Sequence, residues 1–188
     1  MVQAIIYDCF GVLYQGSLAH LMDRCPPNKR SQLKDLSVAS DYGYVSRKEY
    51  VDTVSTLIDM NTADVESIIT TAHVRNVRLI TDIRRLRNHY KTALLSNIGQ
   101  GVMNQLFTQQ EFHELFDVVV LSSDVGMVKP NSEIFEYTAQ RLAVDPGNCV
   151  MVDDLIDNVN GAISVGMKGI QYTSIEEYDT NLKKVFDN

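Results

Sequence analysis

The sequence holds only three cysteines among 188 residues, no long apolar run and no block of basic residues, and each shortage removes a class of protein. Cys9, Cys25 and Cys149 are odd in number and irregularly spaced, which suits neither a disulfide framework nor a zinc site. Reduced thiols in a cytoplasm are the expectation. The longest apolar runs, residues 92–95 and 118–121, fall far short of the roughly 20 residues needed to cross a bilayer. No cationic, apolar signal segment opens the chain, so membrane association is not expected. The formal net charge of -7 is spread along the sequence without a basic stripe, and an electrostatic footprint for a nucleic acid backbone is missing.

What is present suffices for one core. Hydrophobic residues make up 45% of the chain, enough for a substantial interior and a small insert, but the length is too short for two full domains. Residues 3–7 form a β-branched, apolar run that stops abruptly at Asp8 and Gly11, the pattern of a buried strand delivering a loop at its C-terminal end. From residue 16 to about residue 75 the pattern is helical, with Ser46-Arg47-Lys48-Glu49 reading as a capping box ahead of Tyr50, Val54, Leu57 and Ile58 on one face. Beyond it helices and strands alternate. Helices are expected over residues 77–89, near 100–108, over 132–142 and 158–165, and near 175–185, with strands over 91–96, 117–121, 149–152 and 168–172. Such alternation predicts an α/β protein with a Rossmann-like, doubly wound parallel sheet. The expected organisation is a core of residues 1–13 and 76–188, with a small helical cap of residues 14–75 inserted after the first strand.

Four short motifs end these strands, where a parallel sheet brings distant residues together. They are Ile5-Ile6-Tyr7-Asp8-Cys9-Phe10-Gly11, Leu94-Leu95-Ser96-Asn97, Gly126-Met127-Val128-Lys129-Pro130 and Val152-Asp153-Asp154-Leu155-Ile156-Asp157-Asn158. In order and spacing they resemble the haloacid dehalogenase-like hydrolases over essentially the whole chain, in the branch with a helical cap and an Asp-Asp-x-x-x-Asn fourth motif. The resemblance implies Asp8 as a nucleophile that attacks phosphorus to give an aspartyl-phosphate, splitting hydrolysis into two easier steps. It implies Ser96, with Asn97 as a companion, holding the phosphoryl group of the substrate, and Lys129 neutralising both nucleophile and transferring group. Magnesium is the implied cofactor, held by Asp8, Asp154 and the main-chain carbonyl of Phe10, with Asp153 second or acting through water; such an oxygen-rich shell is what that ion prefers.

The chain departs from this pattern at Phe10, where phosphatases of the family carry the aspartate that protonates the leaving group and then activates water. General acid–base help is worth about 10²–10⁴-fold, so hydrolysis is expected to be slow unless another group supplies the proton. His20, His73, His89 and His113 lie outside the motifs. Phe10 also leaves room for a phosphotransferase, for a 2-haloacid dehalogenase whose halide needs no acid, and for a catalytically inactive protein that binds a phosphorylated ligand or a partner. Dehalogenation ranks below hydrolysis of a phosphate ester: Asp153 and Asp154 would repel a haloacid carboxylate, and Phe135 stands where dehalogenases have tyrosine. By the same resemblance the cap selects the substrate, with Lys29, Arg30, Arg47 and Lys48 as candidate anion contacts and Tyr42 and Tyr44 as candidate pocket aromatics. The expectation is a cytoplasmic enzyme, monomer or homodimer, acting on a small phosphorylated metabolite.

Overall fold

In the computed structural model, which describes residues 1–99 and 101–187, strand β1 (Ala4–Tyr7) runs into a tight loop and then the two-residue strand β2 (Tyr14–Gln15). Four helices follow: α1 (Leu18–Arg24), α2 (Arg30–Asp41), α3 (Arg47–Ile58) and α4 (Thr62–Thr71). The chain then returns through β3 (Val74–Arg75), which pairs antiparallel with β2. These four helices enclose an apolar cluster of their own, built on Leu21, Leu33, Val54, Val65 and Ile69. Helix α3 starts where the sequence pattern places it, because Ser46 accepts from Glu49 N–H while the Glu49 carboxylate accepts from Ser46 N–H.

After β3 the alternation is α5 (Val77–Leu86), β4 (Lys91–Ser96), α6 (Met103–Leu106), α7 (Gln109–Leu115), β5 (Val118–Leu121), α8 (Ser122–Val125), α9 (Ser132–Leu142), β6 (Cys149–Asp153), α10 (Ile156–Ser164), β7 (Lys168–Gln171) and α11 (Ile175–Asp187). The five long strands form one parallel sheet in the order β5-β4-β1-β6-β7. Side-chain alternation divides β1 between two cores. Ile5 and Tyr7 join the cluster that α5 and α11 cover with Leu79, Ile83 and Tyr178, while Ala4 and Ile6 join the one that α9 and α10 cover with Phe135, Leu142 and Ala162. The chain runs outward from β1 to β4 and β5, then crosses back to β6 and β7 on the other side. The C-terminal ends of β1, β4 and β6 therefore flank the switch point where open sheets of this kind bind ligands.

Two local expectations are corrected. Residues 16–75 are not helical throughout, since Val74–Arg75 forms β3, which pairs with β2 just ahead of that stretch in a two-stranded ribbon; a pair of two-residue strands is too short to show a period of two. The helix expected near residues 100–108 is only α6, and its expected first residue, Gln100, lies outside the described residues. Helix α7 begins just after it, capped by the reciprocal hydrogen bonds of Thr108 and Glu111. That Thr-x-x-Glu spacing was the available sign of a second helix. Among the described residues no helix is long and apolar enough to cross a membrane.

Candidate active site

The end of β1 is anchored to β6: Asp8 N–H donates to Val152 O at 2.9 Å, which extends the strand pairing by one step and carries Asp8 to the sheet edge. The next turn is possible only with glycine at position 11. Gly11 has φ +86°, and a Cβ there would lie 2.3 Å from Cγ of Asp154. Removing one side chain thus lets the first loop approach the loop after β6. Ligand oxygens of Asp8, Asp153 and Asp154 consequently lie within 4.8 Å of one another.

Lys129 enters this cluster from the loop after α8. Its Nζ donates to Asp8 Oδ1 at 2.7 Å and to Asp153 Oδ2 at 2.6 Å. All three side chains are nearly withdrawn from water, with residue exposures of 6% for Asp8, 3% for Lys129 and 0% for Asp153. Burial pulls the ammonium down, yet Asp8 and Asp153 more than offset this and hold it above its ordinary value. Burial pushes the Asp8 carboxyl up to about 7; Lys129 pulls it down, and Asp153 and Asp154 add to the rise. Burial and Asp153 likewise raise Asp154. One ammonium therefore faces three carboxylates, and the surplus negative charge together with an all-oxygen donor set fits a hard divalent cation.

The three carboxylates are not equivalent. Asp153 Oδ1 accepts from Leu155 N–H and from Asn158 Nδ2, each at 3.0 Å, and its Oδ2 is taken by Lys129. Both oxygens are thus engaged by the protein. Asp154 is only partly buried and lines the adjoining cavity together with Asp8 and Lys129. Of the two, Asp154 has the freer carboxylate for direct ligation.

The second motif divides its labour differently from expectation. The Asn97 amide is used at both ends by the Lys129 backbone, Nδ2 donating to Lys129 O at 2.8 Å and Oδ1 accepting from Lys129 N–H at 2.9 Å. Although Asn97 lines the cavity, its side chain locks the lysine loop. Ser96 is fully buried, and its Oγ has no hydrogen-bond partner among the described residues. Unlike Asn97, Ser96 does not line the cavity that adjoins Asp8 and Lys129. Gly161 on α10 completes the frame, for a Cβ at that position would meet Pro130 O at 2.4 Å.

Above the cluster opens a cavity of about 790 Å³ between the sheet edge and the inserted helices. Of the basic candidates in the insert, only Arg47 lines it, and that side chain is paired with Glu66 at 2.9 Å. Lys29 donates to Leu57 O, Arg30 to Cys25 O, and Lys48 to Asp52. Tyr42 and Tyr44 stack on each other, with ring centroids 5.2 Å apart, and neither lines the cavity. Lys34 and Asp41, both on α2, do line it, and the sequence offered no motif to single them out. Phe10 borders the cavity, its ring packed over Gly16 and 5.3 Å from the ring of His73.

A family model for haloacid dehalogenase-like hydrolases matches residues 2–166. The drimenol cyclase drtB of Aspergillus calidoustus is 25% identical over 196 residues, covering 99% of this chain and 37% of that protein. The sesquiterpene phosphatase astK of Aspergillus oryzae is 33% identical over 95 residues, 44% of this chain and 48% of its own length. These matches span less than half the length of either curated relative. Among solved structures, a HAD family enzyme from Bacteroides thetaiotaomicron, in complex with magnesium and inorganic phosphate, superposes with a TM-score of 0.78 at 18% identity, covering 93% of this chain and 96% of that one.

Proposed function

The chain belongs to the haloacid dehalogenase-like hydrolase family, and from that premise we propose that it is a magnesium-dependent phosphatase acting on a small phosphorylated molecule through an aspartyl-phosphate at Asp8. The observation that carries this reading is the buried cluster of Asp8, Asp153 and Asp154 with the Lys129 ammonium bridging two of them. A carboxylate can attack an anionic phosphate only when their repulsion is offset, and a cluster of this composition can hold both the offsetting cation and a lysine.

Asp8, Asp154 and the main-chain carbonyl of Phe10 would hold the magnesium, with Asp153 orienting Lys129 and acting through water. When bound, the ion supplies Lewis-acid charge stabilisation to the transferring phosphoryl group. An Asp8 carboxylate oxygen bonds to phosphorus as the ester P–O bond breaks and the substrate's oxygen departs with the bonding pair. Lys129 lies within hydrogen-bond reach of Asp8 and neutralises charge on nucleophile and phosphoryl oxygens alike. Ser96 supplies its unused hydroxyl to a phosphoryl oxygen. Asn97 fixes the Lys129 backbone and so keeps the ammonium in register. Support for the phosphatase reading also comes from the phosphatase name of one relative and from the magnesium and phosphate held by the similar fold. A haloacid carboxylate would meet three carboxylates here, which disfavours dehalogenation.

The test is turnover of para-nitrophenyl phosphate and a panel of metabolite phosphates, with magnesium and with chelator, in wild type and Asp8→Asn. The expected result is magnesium-dependent turnover that the substitution abolishes. Activity that survives Asp8→Asn in clean protein, or halide release from a 2-haloacid in chelator, would sink the proposal.

A further inference from the structure

The reaction as far as it is drawn lacks a proton donor. An alkoxide is a poor leaving group, and Phe10, the cavity-lining side chain nearest in sequence to the nucleophile, has no proton to give. In-line displacement puts the departing oxygen on the side of phosphorus away from Asp8, which is the wall formed by the inserted helices. On that wall α2 presents Lys34, Ser37, Val38 and Asp41 to the cavity, at the spacing that places residues on one helical face. Asp41 is the carboxylic acid among them.

Its position is fixed from the core. Ser122 Oγ donates to Asp41 O and accepts from Ile98 N–H at 2.9 Å. Ile98 follows Asn97, whose amide holds Lys129, and Lys129 in turn holds Asp8. A short chain of hydrogen bonds thus ties the Asp41 backbone to the nucleophile across the cavity. Gly43 takes φ +77° and passes so close to Ser123 that a Cβ would lie 2.9 Å from its carbonyl oxygen, which sets the end of α2 down on the loop after β5. Asp41 is also the last residue of its helix, where the macrodipole disfavours a negative charge, and no basic residue occupies that turn.

We infer that Asp41 is the general acid and base of this site, protonating the departing oxygen and then activating water. The inference rests on the phosphatase reading above. In the first step an Asp8 oxygen bonds to phosphorus, the ester P–O bond breaks, and the departing oxygen takes the Asp41 proton to leave as an alcohol. In the second step water attacks phosphorus while giving a proton to the Asp41 carboxylate. The P–O bond to Asp8 breaks, and inorganic phosphate and both starting aspartates are regenerated. Burial pushes the Asp41 carboxyl up to about 7 against the pull of Lys129, so both protonation states are accessible near neutrality. The other charged or titratable groups lining the cavity are Asp8, Lys34, Arg47, Tyr50, Lys129, Asp154 and Asp157. Lys129 stays protonated and Asp157 is exposed to solvent, while Asp154 sits on the nucleophile's side. Tyr50 is held above its ordinary value by burial, although Ser37 draws it down. His73 does not line the cavity.

The deciding experiment compares wild type, Asp41→Asn, Asp41→Glu and Asp8→Asn in saturating magnesium on butyl phosphate and para-nitrophenyl phosphate, with matched melting curves to show that each variant is folded. Asp41→Asn should lose about 10²–10⁴-fold of its turnover of butyl phosphate. With para-nitrophenyl phosphate, whose leaving group needs no acid, it should release one burst of nitrophenol per enzyme and then stall as a phosphoenzyme visible by intact mass. Asp41→Glu should recover part of the loss. The wild-type fall in kcat/KM on butyl phosphate above about pH 7 should vanish in Asp41→Asn. Turnover that needs Asp8 and magnesium but is unchanged in Asp41→Asn, or reduced equally for both esters with no burst, overturns the role of Asp41 alone. A wild type that hydrolyses neither ester overturns the phosphatase reading and this inference with it.

Discussion

Replacing Lys129 with methionine would test the electrostatic account of the site most directly. The ammonium makes two short ion pairs, 2.7 Å to Asp8 and 2.6 Å to Asp153, in a place where its side chain is 1% exposed. Methionine fills the space of the aliphatic stem and leaves both carboxylates buried with no cation. Breaking a buried pair by removing one partner costs about 3–5 kcal/mol. For a protein of this size each kcal/mol moves the midpoint by about 2–4 °C, so Lys129→Met should melt about 6–20 °C lower in chelator at neutral pH. Acid should narrow the gap. The wild-type lysine is held above its ordinary value, so its stabilising contribution is fully present below that value and is lost only as pH rises through the folded one, well above neutrality. In the variant Asp8 loses the charge that favours its ionised form, so the folded state gains from protonating it and loses stability as pH rises through neutrality. Melting both proteins by circular dichroism between about pH 5 and about pH 8 gives the comparison. A gap independent of pH, or a variant as stable as wild type at the alkaline end, would refute the reasoning.

Gly11→Ala should force Asp154 aside, because the new methyl would lie 2.3 Å from Cγ of that residue at a φ of +86°. The expected loss of magnesium affinity is about 10–100-fold, the effect of disturbing the support of a metal ligand, and calorimetric titration measures it; unchanged affinity would remove Asp154 from the ligand set. Gly161→Ala puts a methyl 2.4 Å from Pro130 O, and overpacking of this kind should cost about 1–3 kcal/mol in chemical denaturation. Equal stability would mean that α10 can shift away from the lysine loop. In metal-free protein, the raised Asp41 carboxyl makes stability greatest below its ordinary value of 3.8 and lets it fall as pH rises through about 7. Asp41→Asn should flatten part of that decline in differential melts, and a parallel pH profile would contradict it.

Strands and their ends were legible because they are local. The apolar run before Asp8 ends at a residue that cannot be buried without cost and, at position 11, a glycine that can turn, while the run before Asp153 ends at a pair of carboxylates. The Ser132–Leu142 helix and the Ser46 cap follow from equally short-range patterns. The β2–β3 ribbon was not legible: each strand contributes two residues, and their pairing is stabilised by the insert that separates them by nearly sixty positions in the chain.

By itself the sequence determined which residues stand at the ends of strands, and hence that Asp8, Ser96, Asp153 and Asp154 arrive at one edge of a parallel sheet, since strand length and breaking residues are properties of neighbours along the chain. Tertiary structure decided what each of them touches. Lys129 bridges Asp8 and Asp153, Asn97 gives both ends of its amide to the lysine loop, and Asp153 has both oxygens taken. Asp41 reaches the cavity only because the inserted helices lie over the sheet with one face of α2 inward and the end of that helix set against Ser122 and Ser123. Most of those contacts join residues far apart in the chain, and their free energy depends on burial and charge that exist only once the layers have packed.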